Sequence, residues 1–220
     1  GATGRDAFAA IPVQALRHAG VETASIQTVD APTGAAFITV SADGENAITV
    51  ASGANRYVRA AMVHEQVWAQ ASHILLQGEL DWKETGSVAT TAKRLGKCVV
   101  LNAAPSHNFE PSLLHHVDFL IVNEHELRDV AEAMAIAGDG RNFARSICAV
   151  AHCSVVVTRG AQGVDVTTAD QSFSMPALAV EVVDPPLLRS GVGFGPGVAG
   201  FVAVPPLLLS AGGFGAAVVT

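Results

Sequence analysis

Positive charge is scarce in this sequence. Its 13 Lys and Arg residues stand against 20 Asp and Glu, for a formal net charge of −7, and they are scattered rather than clustered. Neutralising the phosphates of a nucleic acid needs a basic patch, so a nucleic-acid-binding surface is excluded. Cysteine is scarce too. Cys98, Cys148 and Cys153 form no CxxC pair and leave an odd thiol, which argues against a disulfide framework or a zinc ribbon and fits a reducing, cytoplasmic setting. The first residues, Gly1 to Asp6, contain no initiator Met and no basic-then-apolar signal pattern, and read as an interior start.

Motifs of several enzyme classes are missing as well. His125-Glu126 begins an HExxH-like run, but the second His would fall at position 129, which is Asp129, so a zincin reading fails. No GxSxG elbow of a serine hydrolase occurs. Gly191-Val192-Gly193 comes near the end, before a proline-broken run, and not after an early strand as a dinucleotide fingerprint requires.

Half of the 220 residues are apolar, enough to bury a real core in one main domain with at most a small appendage. FAAIPVQALRHAG, from Phe8 to Gly20, has helical spacing and ends on a capping glycine. From Thr33 to Val50 β-branched and small residues alternate around Asp43-Gly44, which predicts a hairpin. Apolar runs then follow at 73–77, 97–102, 117–123 and 154–158, separated by helix-like stretches at 84–95, 124–136 and 140–151. This is the βαβ rhythm of a parallel sheet. Ligands bind beyond the carboxyl ends of such strands. The residues to inspect are therefore Gln77-Gly78-Glu79, Asn102, Asn123 with Glu126, and Thr158 with Gly160 and Gly163, although capping and turn residues are polar in any α/β protein.

The stretch from Pro185 to Thr220 carries one charged residue, Arg189. Its uncharged run exceeds the roughly 20 residues a bilayer span needs. Pro205-Pro206 and the many glycines weigh against a span, and an altered reading frame would give the same composition. The expectation is a chain with no membrane partner.

In their order, these segments resemble the ribokinase-like, or PfkB, carbohydrate kinases. Pro32-Thr33-Gly34-Ala35-Ala36-Phe37-Ile38, the turn Asp43-Gly44-Glu45-Asn46 and Gly53-Ala54-Asn55 resemble that family's lid hairpin and the stretch after it. Leu76-Gln77-Gly78-Glu79 and Val100-Leu101-Asn102-Ala103-Ala104-Pro105 follow, the latter similar to the family's LNPAP strand. Asn123-Glu124-His125-Glu126 resembles its NxxE motif, and Thr158 to Gly163 its TxGxxG loop. The resemblance runs from about Asp6 to Asp184. It implies a three-layer α/β fold, a Rossmann-like sheet with helices on both faces, formed by 1–32 and 52–220, plus a small β lid hairpin at 33–51. Two family features are not seen. The acidic residue and glycine-rich sugar loop of the family would lie before Gly1, and a TTGAGD signature does not follow Asp184. Ser190-Gly191-Val192-Gly193 is the nearest match, with Gly191 and Gly193 as anion-hole candidates and Phe194 where the catalytic Asp belongs.

What the resemblance implies for chemistry is phosphoryl transfer from ATP to the hydroxyl of a small sugar. Such transfer requires positioning and charge neutralisation on the phosphates. Asn123, Glu126, Thr158, Gly160 and Gly163 are the cofactor-binding candidates. Glu126 would organise Mg2+ through water, or would serve only as a first-turn carboxylate. The loop glycines would let backbone amides approach the phosphates, or would form a plain turn. Glu79, Asn55, Ala36 and Phe37 are the sugar-side candidates, the last two in a lid that excludes water. Asn55 alternatively caps a helix. Asp184 is the candidate for a monovalent cation, K+. Within the family the motifs are nearer the ribokinases than the adenosine kinases or phosphofructokinases, which implies ribose. The lid implies a homodimer. Because Phe cannot accept a proton, a catalytically impaired pseudo-kinase of the same fold stands as the alternative.

Overall fold

The computed structural model describes residues 1–40, 46–178 and 216–218. The turn at 41–45 and the whole segment holding Asp184, Gly191, Gly193 and Phe194 lie outside the described residues. Two short parallel strands, β1 (Ala2–Thr3) and β2 (Gln27–Thr28), flank helix α1 (Ala10–His18). An antiparallel pair, β3 (Ala35–Val40) and β4 (Asn46–Ala51), forms a sheet of its own, with Phe37 opposite Thr49 and Ile38 opposite Ile48. After α2 (Glu65–Gln70) comes the main sheet.

Its central strands are β5 (His73–Gln77), β6 (Cys98–Asn102), β7 (Phe119–Asn123) and β8 (Ser154–Thr158), mutually parallel and adjacent in that order. Helix α3 (Trp82–Arg94) connects β5 to β6, and α4 (Glu124–Ala133) with α5 (Gly140–Ala151) connects β7 to β8. On one edge β9 (Val164–Thr167) and β10 (Ser172–Met175) extend the sheet antiparallel. On the other, β11 (Ala216–Val218) runs parallel to β5. The protein is thus α/β with a mixed central sheet.

The four parallel strands form because their sequences are apolar on both sides, as a sheet covered on both faces requires. On one face Ile74, Leu76, Val99, Leu101, Leu120, Val122 and Val155 are fully buried. They pack with Val88, Ala89 and Ala92 of α3, Leu127 and Val130 of α4, and Ala144 and Ile147 of α5. The small residues on the helices let them sit close to the strands. Leu75, Val100, Phe119 and Ile121, on the other face, are half-buried.

The helix ends follow local chemistry. Asp81 caps α3 by accepting from the Lys83 amide at 2.8 Å, and Lys93 and Arg94 occupy its last turn, where carbonyls are unpaired. The predicted helices at 84–95 and 124–136 are therefore observed, shifted by two or three residues at an end, which is where caps rather than periodicity decide. The β9–β10 hairpin was not expected from the sequence: its turn closes through Thr168 and Gln171, with neither Gly nor Asn to mark it. Among the described residues no helix is long and apolar enough to cross a membrane.

Candidate active site

The parallel register aligns the carboxyl ends of the strands. Gln77 pairs with Asn102, Asn102 with Ile121, and Asn123 with Thr158. All four polar strand ends singled out in the sequence therefore lie along one rim of the sheet, and the segments that leave that rim carry Glu79, Glu126 in the first turn of α4, and Gly160.

At one end of the rim stand Glu79 and Asn55. Asn55 sits inside a 3-10 turn, Gly53–Tyr57, and caps no helix; the position before the turn is Ser52. Its side-chain amide instead donates to Glu79 Oε2 at 3.5 Å, the outer limit of a hydrogen bond. The Glu79 backbone amide is held by Gln77 Oε1. The same turn anchors the root of the β3–β4 hairpin. The Ala54 amide donates to the Pro32 carbonyl at 2.7 Å. A Cβ on Gly53, whose φ is +49°, would meet that carbonyl at 2.4 Å, so only glycine fits.

A residue that the sequence did not single out, Asp6, completes this root. Its Oδ2 accepts from the Thr33 amide at 2.7 Å and its Oδ1 from the amides of Phe8 and Ala9 at 3.1 and 3.2 Å. Thr33 Oγ1 in turn accepts from the Gly4 amide at 2.9 Å. The Thr33 hydrogen bonds, the backbone one foremost, hold the Asp6 carboxyl below its usual range. The signal that would have found it is the Asp-x-x-Ala turn before α1; its partner, 27 residues away, is invisible to local pattern.

The resemblance implies that Ala36 and Phe37 together cover one ligand. Neighbours on a strand point to opposite sides, so one of them, not both, can face a single ligand. Ala36 shares its face with Ile38, Ile48 and Val50; Phe37 shares the other with Thr39 and Thr49. Phe37 is 62% exposed, and Ile38, Ile48 and Val50 about half.

At the other end of the rim, Asn123 and Glu126 close the head of α4. Asn123 Oδ1 accepts from the amides of His125 and Glu126 at 2.8 and 2.9 Å, and Glu126 Oε2 accepts from the Asn123 amide at 2.8 Å. This is a capping box. Burial pushes the Glu126 carboxyl up, with Asp129 adding to it, against the downward pull of the Asn123 amide and of His125. The Asp129 carboxylate also binds the Ser106 hydroxyl, which ties the loop after β6 to α4.

Beside it, Thr158 Oγ1 reaches the Val122 carbonyl at 3.4 Å. Gly160 opens a 3-10 turn, Gly160–Gln162, that leads through Gly163 into β9. Three amides of this loop are bonded within it: Arg159 to the Gly163 carbonyl, Gln162 to that of Arg159, and Gly163 to that of Gly160. The segment does join two antiparallel neighbours, as the plain-turn alternative held. Arg159, also not singled out, links the loop to its surroundings: its Nη2 lies 3.3 Å from Glu124 Oε1 and its Nε 3.0 Å from Asp165 Oδ2.

The arrangement has two polar ends on one rim. One offers a carboxylate and an amide beside the root of an apolar hairpin; the other offers a helix head, a carboxylate and a glycine loop. Among the described residues no group of three or more His, Cys, Asp or Glu could hold a metal ion by itself.

Comparison with known proteins bears on the family and the fold. The chain is 31% identical over 188 residues to a ribokinase of Haemophilus influenzae, covering 82% of this chain and 60% of that protein. Across the first three curated relatives, all ribokinases, it spans 59% to 61% of their length. Among solved structures, a ribokinase from Thermotoga maritima superposes with a TM-score of 0.74 at 23% identity, covering 83% of this chain and 60% of that one. An Arabidopsis thaliana ribokinase complexed with ribose and ATP gives a TM-score of 0.71 at 25% identity, covering 84% and 63%. The pfkB family carbohydrate kinase profile matches residues 1–185, most of the chain, and the chain therefore belongs to that family.

Proposed function

We propose that this chain is the greater part of an ATP-dependent kinase that phosphorylates a hydroxyl of a small, ribose-like sugar. The observation that carries the reading is the single rim with two ends. Glu79 and Asn55, 3.5 Å apart beside the root of the hairpin, suit a polyhydroxyl ligand. The Asn123–Glu126 head of α4 and the Thr158–Gly163 loop suit a polyphosphate. The ribose and ATP of the Arabidopsis relative lend support.

The sugar end works by hydrogen bonding and exclusion. Glu79 accepts from sugar hydroxyls, Asn55 donates and holds Glu79 in place, and the Ala36, Ile38, Ile48 and Val50 face of the hairpin closes over the sugar. A dry site limits hydrolysis of the nucleotide. The phosphate end works by charge and positioning. Glu126 and Asp129 fit Mg2+, which takes one or two carboxylates and keeps several waters. When bound, that ion would neutralise charge on the phosphates. Asn123, by capping α4, holds the helix head and Glu126 in place beside them. The K+ site assigned to Asp184 and the anion hole of Gly191 and Gly193 belong to the same reading and lie outside the described residues. We further propose the division into a body (1–32 and 52–220) and a lid (33–51), a homodimer through the lid, whose apolar hairpin pairs with no other strand among the described residues, and a reducing cytoplasm, in keeping with three free cysteines.

A second reading, a pseudo-kinase that binds but does not turn over, is favoured by Phe194 at the position nearest to the catalytic Asp. Calorimetric titration with MgADP and with ribose, followed by a turnover assay, separates the two. Saturable binding of both ligands with turnover supports the kinase. Binding without turnover supports the pseudo-kinase. Binding of neither ligand contradicts both.

A further inference from the structure

Arg159 stands between Thr158 and Gly160 in the glycine loop, and it is the one side chain of that loop that reaches in two directions. Its Nη2 meets Glu124, the first residue of α4 and the neighbour of Asn123, at 3.3 Å. Its Nε meets Asp165 of β9 at 3.0 Å. The second contact is electrostatic: the Nε–H is not aligned for a hydrogen bond. The Arg159 side chain is 26% exposed, Asp165 19% and Glu124 54%. Asp165 is braced in turn by the Ser174 hydroxyl of β10. The chain Glu124–Arg159–Asp165–Ser174 thus joins the α4 head, the glycine loop and the edge hairpin.

We propose that Arg159 is a positioning residue, a two-armed clamp that fixes the Thr158–Gly163 loop against the head of α4 and thereby sets the shape of the nucleotide-phosphate site. A planar guanidinium can engage two carboxylates lying in different directions at once, whereas a Lys ammonium is a point charge on a flexible stem. The proposal rests on the reading of this loop as nucleotide-binding. A rival role for the same residue is simple attraction of phosphate by a positive charge. The two differ in the sign of one effect. If Arg159 acts by its charge, removing the Glu124 carboxylate frees that charge and tightens binding. If Arg159 acts as a clamp, removing Glu124 releases one arm and weakens binding.

The test uses the full chain and MgADP as the probe, with Arg159→Ala, Arg159→Lys and Glu124→Gln. Amide hydrogen exchange of residues 160–163 without nucleotide is the second readout. Lys93→Ala is the control; it breaks the Lys93–Asp118 pair at the opposite ends of the strands, 2.6 Å apart. The clamp predicts MgADP affinity lower by about tenfold in both Arg159 variants, a smaller loss in Glu124→Gln, and faster loop exchange in all three, with the control unchanged. Full recovery of affinity in Arg159→Lys together with tighter binding in Glu124→Gln overturns it. If the unaltered chain binds no MgADP, the reading of this loop as nucleotide-binding fails, and exchange alone judges the clamp: loop amides in Arg159→Lys that exchange as in the unaltered chain overturn it.

Discussion

Asn123 and Glu126 satisfy each other's backbone: the Asn123 side chain accepts from the Glu126 amide at 2.9 Å, and the Glu126 carboxylate accepts from the Asn123 amide at 2.8 Å. The residues read as a phosphate and metal site are therefore also the structural cap of α4. Helix amides left without intrahelical partners have to be bonded somewhere, and here the functional candidates do it. Asn123→Ala is expected to lower stability by about 1 kcal/mol, the usual worth of an N-cap, in urea denaturation, while Asn123→Asp keeps most of it. Nucleotide affinity is expected to fall with the cap.

Glu126 gives a pH signature. Its carboxyl is pushed up by burial, so the folded state holds its proton more tightly than the unfolded chain. Stability from this group is accordingly greatest in acid and falls as pH rises through the folded value, then stays level. A Gln at this position preserves the capping box, which accepts Glu or Gln, and removes the cost of the buried charge. Melting curves of Glu126→Gln are expected to match the unaltered chain in acid and to lie at or above it at neutral pH. MgATP-dependent turnover, by contrast, is expected to drop about 10- to 100-fold, as when a group orienting a metal is lost.

Asp6 has the opposite sign. Its carboxyl is held low, chiefly by the Thr33 amide, so the stability it supplies is present above the ordinary carboxylate range and is lost as pH falls through the lowered folded value. Asp6→Asn is expected to melt earlier at neutral pH, with the gap closing in acid. Hydrogen exchange at the hairpin root, Thr33 and Ala54, is expected to quicken in the same variant, because the network from Gly4 to Thr33 loosens.

Gly163 is expected to tolerate no side chain. Its φ is +94°, and a Cβ there would lie 2.0 Å from the Met175 carbonyl. Gly163→Ala forces the loop away from the end of β10 and is expected to cost roughly 1–3 kcal/mol, the range for a residue held in a disallowed conformation. Gly96→Ala is the comparison: its φ is +69° but no atom lies within 4 Å of the added methyl, so the smaller loss expected there isolates the backbone contribution from the clash.

The central strands were legible because the runs CVVLN, FLIVN and SVVVT are apolar at consecutive positions, which a doubly covered strand needs and a surface helix does not. The rim residues were legible for the same reason: where such a run stops, the strand stops, and polar Gln77, Asn102, Asn123 and Thr158 mark the place. Two kinds of feature were not. The role of Asp6 depends on Thr33, and that of Arg159 on Glu124 and Asp165, all partners brought near only by the fold. The β9–β10 hairpin was hidden because its strands, VDVT and SFSM, alternate over only four residues each and no Gly or Asn marks the turn between them. Asn55 illustrates a local pattern that misled in its plain form. A Gly-x-Asn before a turn suggests a cap, but the turn begins before Asn55 and its side chain is turned to Glu79.

The central claim is that one rim brings a sugar hydroxyl and a nucleotide phosphate together, and the most direct test is ADP release from MgATP with and without ribose. The account predicts release that depends on ribose and saturates with it, and that falls by at least tenfold in Glu79→Gln, where a charge-assisted acceptor for the sugar is lost. Release from MgATP at the same rate with and without ribose, unaltered by Glu79→Gln, would contradict it.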